Sequence, residues 1–298
     1  MRLKPYLQLV RLPNLFTAAA DSLAGWLLVG GSLNEPGRWG LLVGASVTLY
    51  AAGIVLNDVR DFPIDLRERP GRPLPSGQVS HRLALAMVAV FFASGLGLAW
   101  LSGTPHGFPV AVGIVLAVLA YDVWLKSTPL GPQVMGLCRA LNLLLGLSLS
   151  ADLGGLVGWI SAASYGTFVC GITWISRNEA NDDQGPGPTV VAGLALQNLA
   201  IVGQAVAALI ARESSTSGMR LLGLIVLGLI GVRINQSGLR AIRGPSPKTL
   251  QQAVKAGILC LVWLHVGLLL AVRGFEPALA VAVLWFPASL VGRWLAST

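Results

Sequence analysis

The chain has 298 residues, of which 54% are hydrophobic and 11% charged, and its mean hydropathy is +0.70. A soluble domain carries roughly 25% charged residues, so a water-soluble enzyme and a disordered chain are both excluded, and an integral membrane protein of many helices remains. The net charge of +8 lies in short loops between apolar runs, which reads as membrane topology and not as a nucleic-acid footprint.

Abundant glycine, 36 residues, suits close approach of membrane helices. The three cysteines, Cys138, Cys170 and Cys260, are odd in number, lie in apolar stretches and form no CxxC pair. Disulfides and a cysteine zinc site are therefore not expected.

Apolar runs long enough to cross a bilayer, roughly 17–25 residues, fall at about 9–31, 38–57, 83–102, 107–124, 133–150, 155–176, 188–210, 219–237, 251–272 and 276–294. The first is not a cleaved signal peptide, because it is long, holds Asp21 and lacks a cleavage site followed by a soluble domain. With the N-terminus in the cytoplasm, seventeen Lys and Arg residues lie inside and four outside, namely Arg38, Arg212, Arg220 and Arg273. The positive-inside rule then places both termini in the cytoplasm and requires an even number of spans. Eight of the thirteen acids gather at those same cytoplasmic helix ends: Asp58, Asp61, Asp65, Glu68, Asp122, Glu179, Asp182 and Asp183. Acids and bases mixed at one membrane face suit divalent cations and a phosphorylated substrate.

In the first span, Asn14, Thr17 and Asp21 share one face. Asp21 lies about 10 Å deeper than Asn14 at 1.5 Å per residue. An acid there either faces a substrate in the bundle interior or bonds between helices.

The second span ends in Asn57-Asp58-Val59-Arg60-Asp61-Phe62-Pro63-Ile64-Asp65, which reads N-D-x-x-D-x-x-x-D. Asn57 and Asp61, at i and i+4, share a helix face. Pro63 disfavours helix at Phe62, so Asp65 belongs to a following loop or a new turn. Half-buried carboxylates need a partner. Mg²⁺, which takes one or two carboxylates plus substrate phosphates, is a good candidate; a solvated helix end facing arginines is the plainer reading. The next segment, Arg67-Glu68-Arg69-Pro70-Gly71-Arg72-Pro73-Leu74-Pro75-Ser76-Gly77, is stiffened by proline. Arg69 and Arg72 are suited to gripping phosphate oxygens, or they serve only topology and lipid headgroups.

Asp122 and Lys126 after the fourth span are at i and i+4. Either they form a surface ion pair worth about 0.3–0.5 kcal/mol, or Lys126 contacts a diphosphate. Arg139 and Asn142 share a face of the fifth span, and a cation that deep requires an anionic partner, a diphosphate or an acid. The histidines, His81, His106 and His265, are scattered without metal-ligand spacing.

The ordered acidic motif followed by Glu68-Arg69-Pro70-Gly71-Arg72-Pro73-Leu74-Pro75-Ser76-Gly77 strongly resembles the UbiA-type intramembrane prenyltransferases. The resemblance continues through Arg11-Leu12-Pro13-Asn14, Tyr121 to Lys126, and Arg139-Ala140-Leu141-Asn142. The R-A-L-N-L-L-L-G and A-D-x-L-A-G segments also look like the EboC-like branch. The resemblance implies an all-α polytopic membrane bundle of about nine to ten transmembrane helices, with residues 1–298 as one UbiA-like domain. It implies transfer of a prenyl group from a prenyl diphosphate to an acceptor, here unidentified, with Mg²⁺ held by two acidic motifs.

The second motif departs from the family pattern. After the sixth span the nearest match is Glu179-x-x-x-Asp183 with Asp182 beside it, and Gly187 stands where a third acid is usual. The candidate metal ligands are Asn57, Asp58, Asp61, Asp65, Glu179, Asp182 and Asp183, with Asp61, Asp65 and Asp183 carrying catalysis. The candidate substrate contacts are Asn14, Arg69, Arg72, Lys126, Arg139, Asn142 and Arg177. The site is expected at the cytoplasmic face, in contact with membrane lipid. The competing reading is a non-catalytic UbiA-like protein that binds or transports a prenyl lipid.

Overall fold

The computed structural model describes residues 3–177, 188–212 and 215–296, with side chains up to residue 290. Every regular element among them is helical: α1 Lys4–Leu9, α2 Leu12–Leu28, α3 Pro36–Arg60, α4 Phe62–Glu68, α5 His81–Leu101, α6 Gly107–Ala120, α7 Gly131–Leu147, α8 Gly155–Ser176, α9 Pro188–Ile210, α10 Ser217–Arg243, α11 Pro247–Val272, α12 Phe275–Ala282 and α13 Trp285–Ala296. A single π-helical turn, Tyr121–Leu125, extends α6.

Proline opens many of these helices. It occupies one of the first two positions of α1, α2, α3, α4, α7 and α11, where its missing N–H has no intrahelical partner to lose. Hydroxyl caps start two others and reinforce α11. Ser80 begins α5, Thr216 begins α10, and Ser246 with Thr249 forms a reciprocal capping box on α11.

Seven helical segments are long and apolar enough to cross a membrane: α3, α5, α6 with its π turn, α8, α9, α10 and α11. Helices α2 and α7, of 17 residues each, stand at the lower limit of about 17–25. They carry the polar residues of the expected first and fifth spans.

Two expected runs are broken. The first is interrupted at Arg11, which adopts a left-handed backbone (φ 47°) between α1 and α2. The last is divided between Ala282 and Trp285 into helices of 8 and 12 residues. Pro287 explains this break, because its ring excludes a helical carbonyl four residues earlier, at Val283. The run 276–294 therefore does not cross as one helix.

Helix α11 is the most enclosed of the long helices, and it packs on α2, α8, α9 and α10. Helices α5 and α10 turn much of their surface outward. The exposed side chains there and elsewhere, such as Trp100, Leu116, Leu199 and Leu229, are apolar, as lipid contact requires.

Helices α2 and α7 cross closely. A Cβ at Gly146 would overlap the Ser22 carbonyl oxygen, and one at Gly25 would overlap that of Leu143. Small residues permit this approach, and it brings Asp21 against Asn142. Gly146→Ala is expected to destabilise the bundle by about 1–3 kcal/mol, because backbone cannot yield as a side chain can. Gly97→Ala, where an added methyl meets nothing within 4 Å, serves as the control. Thermal unfolding of both variants in detergent would show a lower midpoint only for Gly146→Ala.

Candidate active site

The ends of α3, α6 and α8 meet the start of α7 at one end of the bundle. A cavity of about 230 Å³ opens there, and it is organised in three levels. Arg11, Asn57, Asp122 and Lys126 line its mouth, and Gly53, Ile54, Ile114, Val118 and Met135 form apolar walls. Tyr50, Arg139 and Asn142 make a polar floor. From Asn57 to Tyr50 the α3 backbone descends about 10 Å.

At the mouth, Asn57 Nδ2 donates to Asp122 Oδ1 at 2.9 Å, and Lys126 Nζ donates to Asp61 Oδ2. Asn57 and Asp61 thus act on the same side, as their i,i+4 spacing predicts. The Asp122–Lys126 pair does not form. In the π turn the Lys126 N–H reaches Tyr121 O, one residue further than in an α-helix, which takes Lys126 out of register with Asp122. π turns of this kind recur at functional sites.

The other half of the first motif faces elsewhere. Helix α3 ends at Arg60, and α4 begins with Pro63 in its first turn, so Asp65 comes from a new helix. Arg11 Nη2 donates to Asp58 Oδ1 at 2.8 Å. Arg72 Nη1 donates to Asp65 Oδ2 at 2.6 Å and lies 3.7 Å from Asp58. A second hollow of about 250 Å³, lined by Gln8, Arg11, Asp58, Gly71, Arg72 and Pro73, adjoins these pairs. The motif is therefore divided: Asn57 and Asp61 belong with the cavity, Asp58 and Asp65 with the arginines. Arg11 borders both hollows. Its left-handed backbone, costing about 1–2 kcal/mol for a non-glycine residue, is held in place by the ion pair to Asp58.

At the floor, Asp21 is fully buried and is contacted by four side chains from three helices. Tyr165 Oη donates to Oδ1 at 2.5 Å, and His265 Nε2 lies 3.0 Å from the same oxygen. Asn142 Nδ2 donates to Oδ2 at 3.0 Å, and Arg139 Nη1 lies 3.2 Å from it. Arg139 Nη2 also donates to Thr17 Oγ1 at 3.0 Å and to Tyr165 Oη at 3.1 Å. Its guanidinium stands 5.0 Å from the centroid of the Tyr50 ring.

The expected site residues thus have different fates. Asn57, Lys126, Arg139 and Asn142 line the cavity, and Asp61 is held at its mouth by Lys126. Arg139 has the anionic partner its depth requires, and that partner is Asp21. Arg72 serves Asp58 and Asp65 beside the cavity. Arg69 is exposed and makes no ion pair among the described residues. Asn14 is half-buried and outside the cavity lining. Arg177 does not line the cavity either. Its Nη2 donates to the carbonyls of Lys126 (2.7 Å) and Thr128 (2.5 Å), bracing the turn that carries Lys126. Glu179, Asp182 and Asp183 lie outside the described residues.

Tyr50, Tyr165 and His265 gain a place that the sequence did not give them, and Arg11 and Asp122 gain partners it did not specify. The available signal was burial-prone polarity, an acid or histidine within an apolar run, but partner choice required the packing. A larger cavity of about 640 Å³ at the opposite end, bordered by Leu28, Asp152, Ile210 and Arg273, holds none of the motif residues.

No three His, Cys, Asp or Glu side chains converge into a metal cage among the described residues. The side-chain oxygens of Asn57, Asp61 and Asp122 nevertheless fit Mg²⁺, a hard ion that binds through one or two carboxylates together with substrate phosphates.

The UbiA prenyltransferase family model matches residues 18–234. A digeranylgeranylglyceryl phosphate synthase from Methanoculleus marisnigri is 34% identical over 188 residues, covering 62% of this chain and 65% of the relative. The one from Methanopyrus kandleri is 36% identical over 133 residues, 45% and 48% of the two chains. The chain thus spans about half to two thirds of the length of the curated relatives it matches. A UbiA homologue from Archaeoglobus fulgidus, solved with GPP and Mg²⁺, superposes with a TM-score of 0.65 at 16% identity, over 89% of this chain and 99% of the other. A UbiA homologue from Aeropyrum pernix K1 gives 0.65 at 20% identity, over 85% and 96%. With its all-helical bundle and its membrane-spanning segments, the chain belongs to the UbiA prenyltransferase family.

Proposed function

We propose that this chain is an intramembrane prenyltransferase that moves a prenyl group from a prenyl diphosphate to an acceptor and releases diphosphate. The observation that carries the reading is the layered cavity, in which a mouth of mixed charge opens onto apolar walls. The apolar walls suit an isoprenoid chain. Arg11 and Lys126 suit the diphosphate, since cations in a water-poor site stabilise a departing anion strongly. Residues 1–298 act as one domain, and the charge split between loops puts the mouth and both termini on the cytoplasmic side.

Asn57, Asp61 and Asp122 would hold Mg²⁺, with Glu179, Asp182 and Asp183 as further ligands. When bound, the ion neutralises the charge that develops on the leaving phosphate oxygens. The chain's own work is to orient and to exclude water. Lys126 exchanges its bond to Asp61 for one to the diphosphate, freeing that carboxylate. As the carbon–oxygen bond breaks, its electron pair leaves with the diphosphate. The allylic cation stays between Ile54, Ile114, Val118 and Met135, where water cannot capture it before the acceptor does. The names of the relatives make a glyceryl phosphate the first acceptor to test.

The purified protein in nanodiscs, given prenyl diphosphate and acceptor, is expected to release diphosphate only with Mg²⁺, and EDTA should abolish release. Asp61→Ala should lower the rate by at least about 10²-fold; turnover at the wild-type rate would overturn the assignment. Mg²⁺-dependent binding without release would instead identify a prenyl-lipid binding or transport protein.

Lys126→Met should raise KM for the prenyl diphosphate and lower kcat, together a loss of about 10–10²-fold in kcat/KM. Arg69→Met, which breaks no ion pair among the described residues, should change kcat/KM less than about threefold. Steady-state kinetics on the two variants decides between a directed diphosphate contact and general positive charge.

A further inference from the structure

The cluster beneath the cavity has no part in the reading above, and its arrangement is unusual. Asp21 sits at 0% exposure and Arg139 at 3%. The two charges are matched one to one. His265 donates to a carboxylate through Nε2, and its Nδ1 has no partner among the described residues. A neutral ring leaves only a lone pair there, whereas a protonated ring would bury an unpaired N–H. Tyr165 both accepts from Arg139 and donates to Asp21. With Asn142, the five side chains come from α2, α7, α8 and α11, and the Tyr165 and His265 rings lie 4.3 Å apart. Only Arg139 and Asn142 of this group reach the cavity.

We propose that Asp21, fixed by Tyr165 and His265, is a positioning residue that pins Arg139 to the cavity floor and cancels its charge. The inference rests on the prenyl-diphosphate reading. Ionisation of a prenyl diphosphate separates an anion, which belongs at the mouth, from an allylic cation formed deeper in the cavity. Net positive charge is useful at the mouth and harmful at the floor. A bare guanidinium at the floor would hold the diphosphate too deep and oppose the cation formed beside it. Paired with Asp21, Arg139 gives the floor hydrogen-bonding capacity and an edge against Tyr50 without net charge. Arg11 and Lys126 are paired at rest with Asp58 and Asp61; Lys126, released when Asp61 would turn to Mg²⁺, then sets the direction in which the anion leaves.

Opposite signs in a binding cycle test this. The probe is the S-thiolo analogue of geranyl diphosphate, which binds without ionising, with Mg²⁺ and the full chain in nanodiscs. Asp21→Asn uncovers a positive charge about 10 Å from the diphosphate and should tighten binding on the order of tenfold. Arg139→Met uncovers a negative one and should weaken binding by a similar factor. The double variant should return to within about threefold of wild type, since a buried ion pair replaced as a unit is tolerated. In single-turnover ionisation of geranyl diphosphate itself, Asp21→Asn should be slower than wild type although it binds more tightly. A merely structural role would not produce that split.

Weaker binding by Asp21→Asn, or a double variant no better than Arg139→Met, would overturn the proposal. If a single variant does not fold, the double variant decides: a Kd within about threefold supports charge cancellation, and a loss beyond about tenfold overturns it. Wild-type protein that binds the analogue with this pattern but never ionises geranyl diphosphate would refute the transferase activity and leave the cancellation standing. Wild-type protein that does not bind the analogue would refute both.

Discussion

The buried carboxylate of Asp21 is the constraint to which the rest of the bundle answers. An isolated charge in a membrane interior is expensive, so it must be surrounded before the helices can close. Arg139, Asn142, Tyr165 and His265 surround it, and in doing so they fix α7, α8 and α11 relative to α2. The glycines that let α2 and α7 touch are part of the same requirement, because Asn142 bonds both the Asp21 carboxylate and the Ala18 carbonyl. A buried ion pair is not in itself a strong source of stability. Removing one partner is costly, however, and that makes the cluster a device for selecting one arrangement of helices.

The cavity follows from this anchoring. Its floor is the upper surface of the cluster, and its walls are the apolar faces of α3, α6 and α7. Its mouth lies where those helices run out and charged residues reach water. Each acid of the first motif is matched by a cation, Asp61 by Lys126 at the mouth and Asp58 and Asp65 by Arg11 and Arg72 beside it, and Asp122 is matched by the Asn57 amide. Carboxylates that would otherwise repel one another are thereby held close together. The braced turn after α6, where Arg177 grips the carbonyls of Lys126 and Thr128, keeps Lys126 at the rim.

The membrane acts as solvent throughout. Outward faces are apolar, so the polar residues that remain inside must either bond one another or line a hollow. That condition separates structural polarity from functional polarity here. The Asn198 and Asn235 side chains bond each other reciprocally and close the α9–α10 contact, whereas Asn57 and Asp122 do so at the edge of open space.

The sequence by itself determined the environment and most of the local structure. Charge-poor apolar runs can be satisfied only by membrane helices. Pro63 ends one helix and starts the next, and i,i+4 spacing puts Asn57 and Asp61 on one face. These are short-range effects, set by backbone sterics and helical period. The order of acids and arginines also sufficed to recognise the family resemblance. Pro287 was as visible as Pro63, yet the apolar run around it reads as continuous, because hydropathy does not register a lost N–H. Only the tertiary structure decided which charges meet. It paired Lys126 with Asp61 and not with Asp122, divided the first motif between two hollows, turned Arg177 to a bracing task, and brought His265 to Asp21 across 244 residues. Such pairings depend on how helices rotate and approach one another, and no spacing within a single helix specifies that.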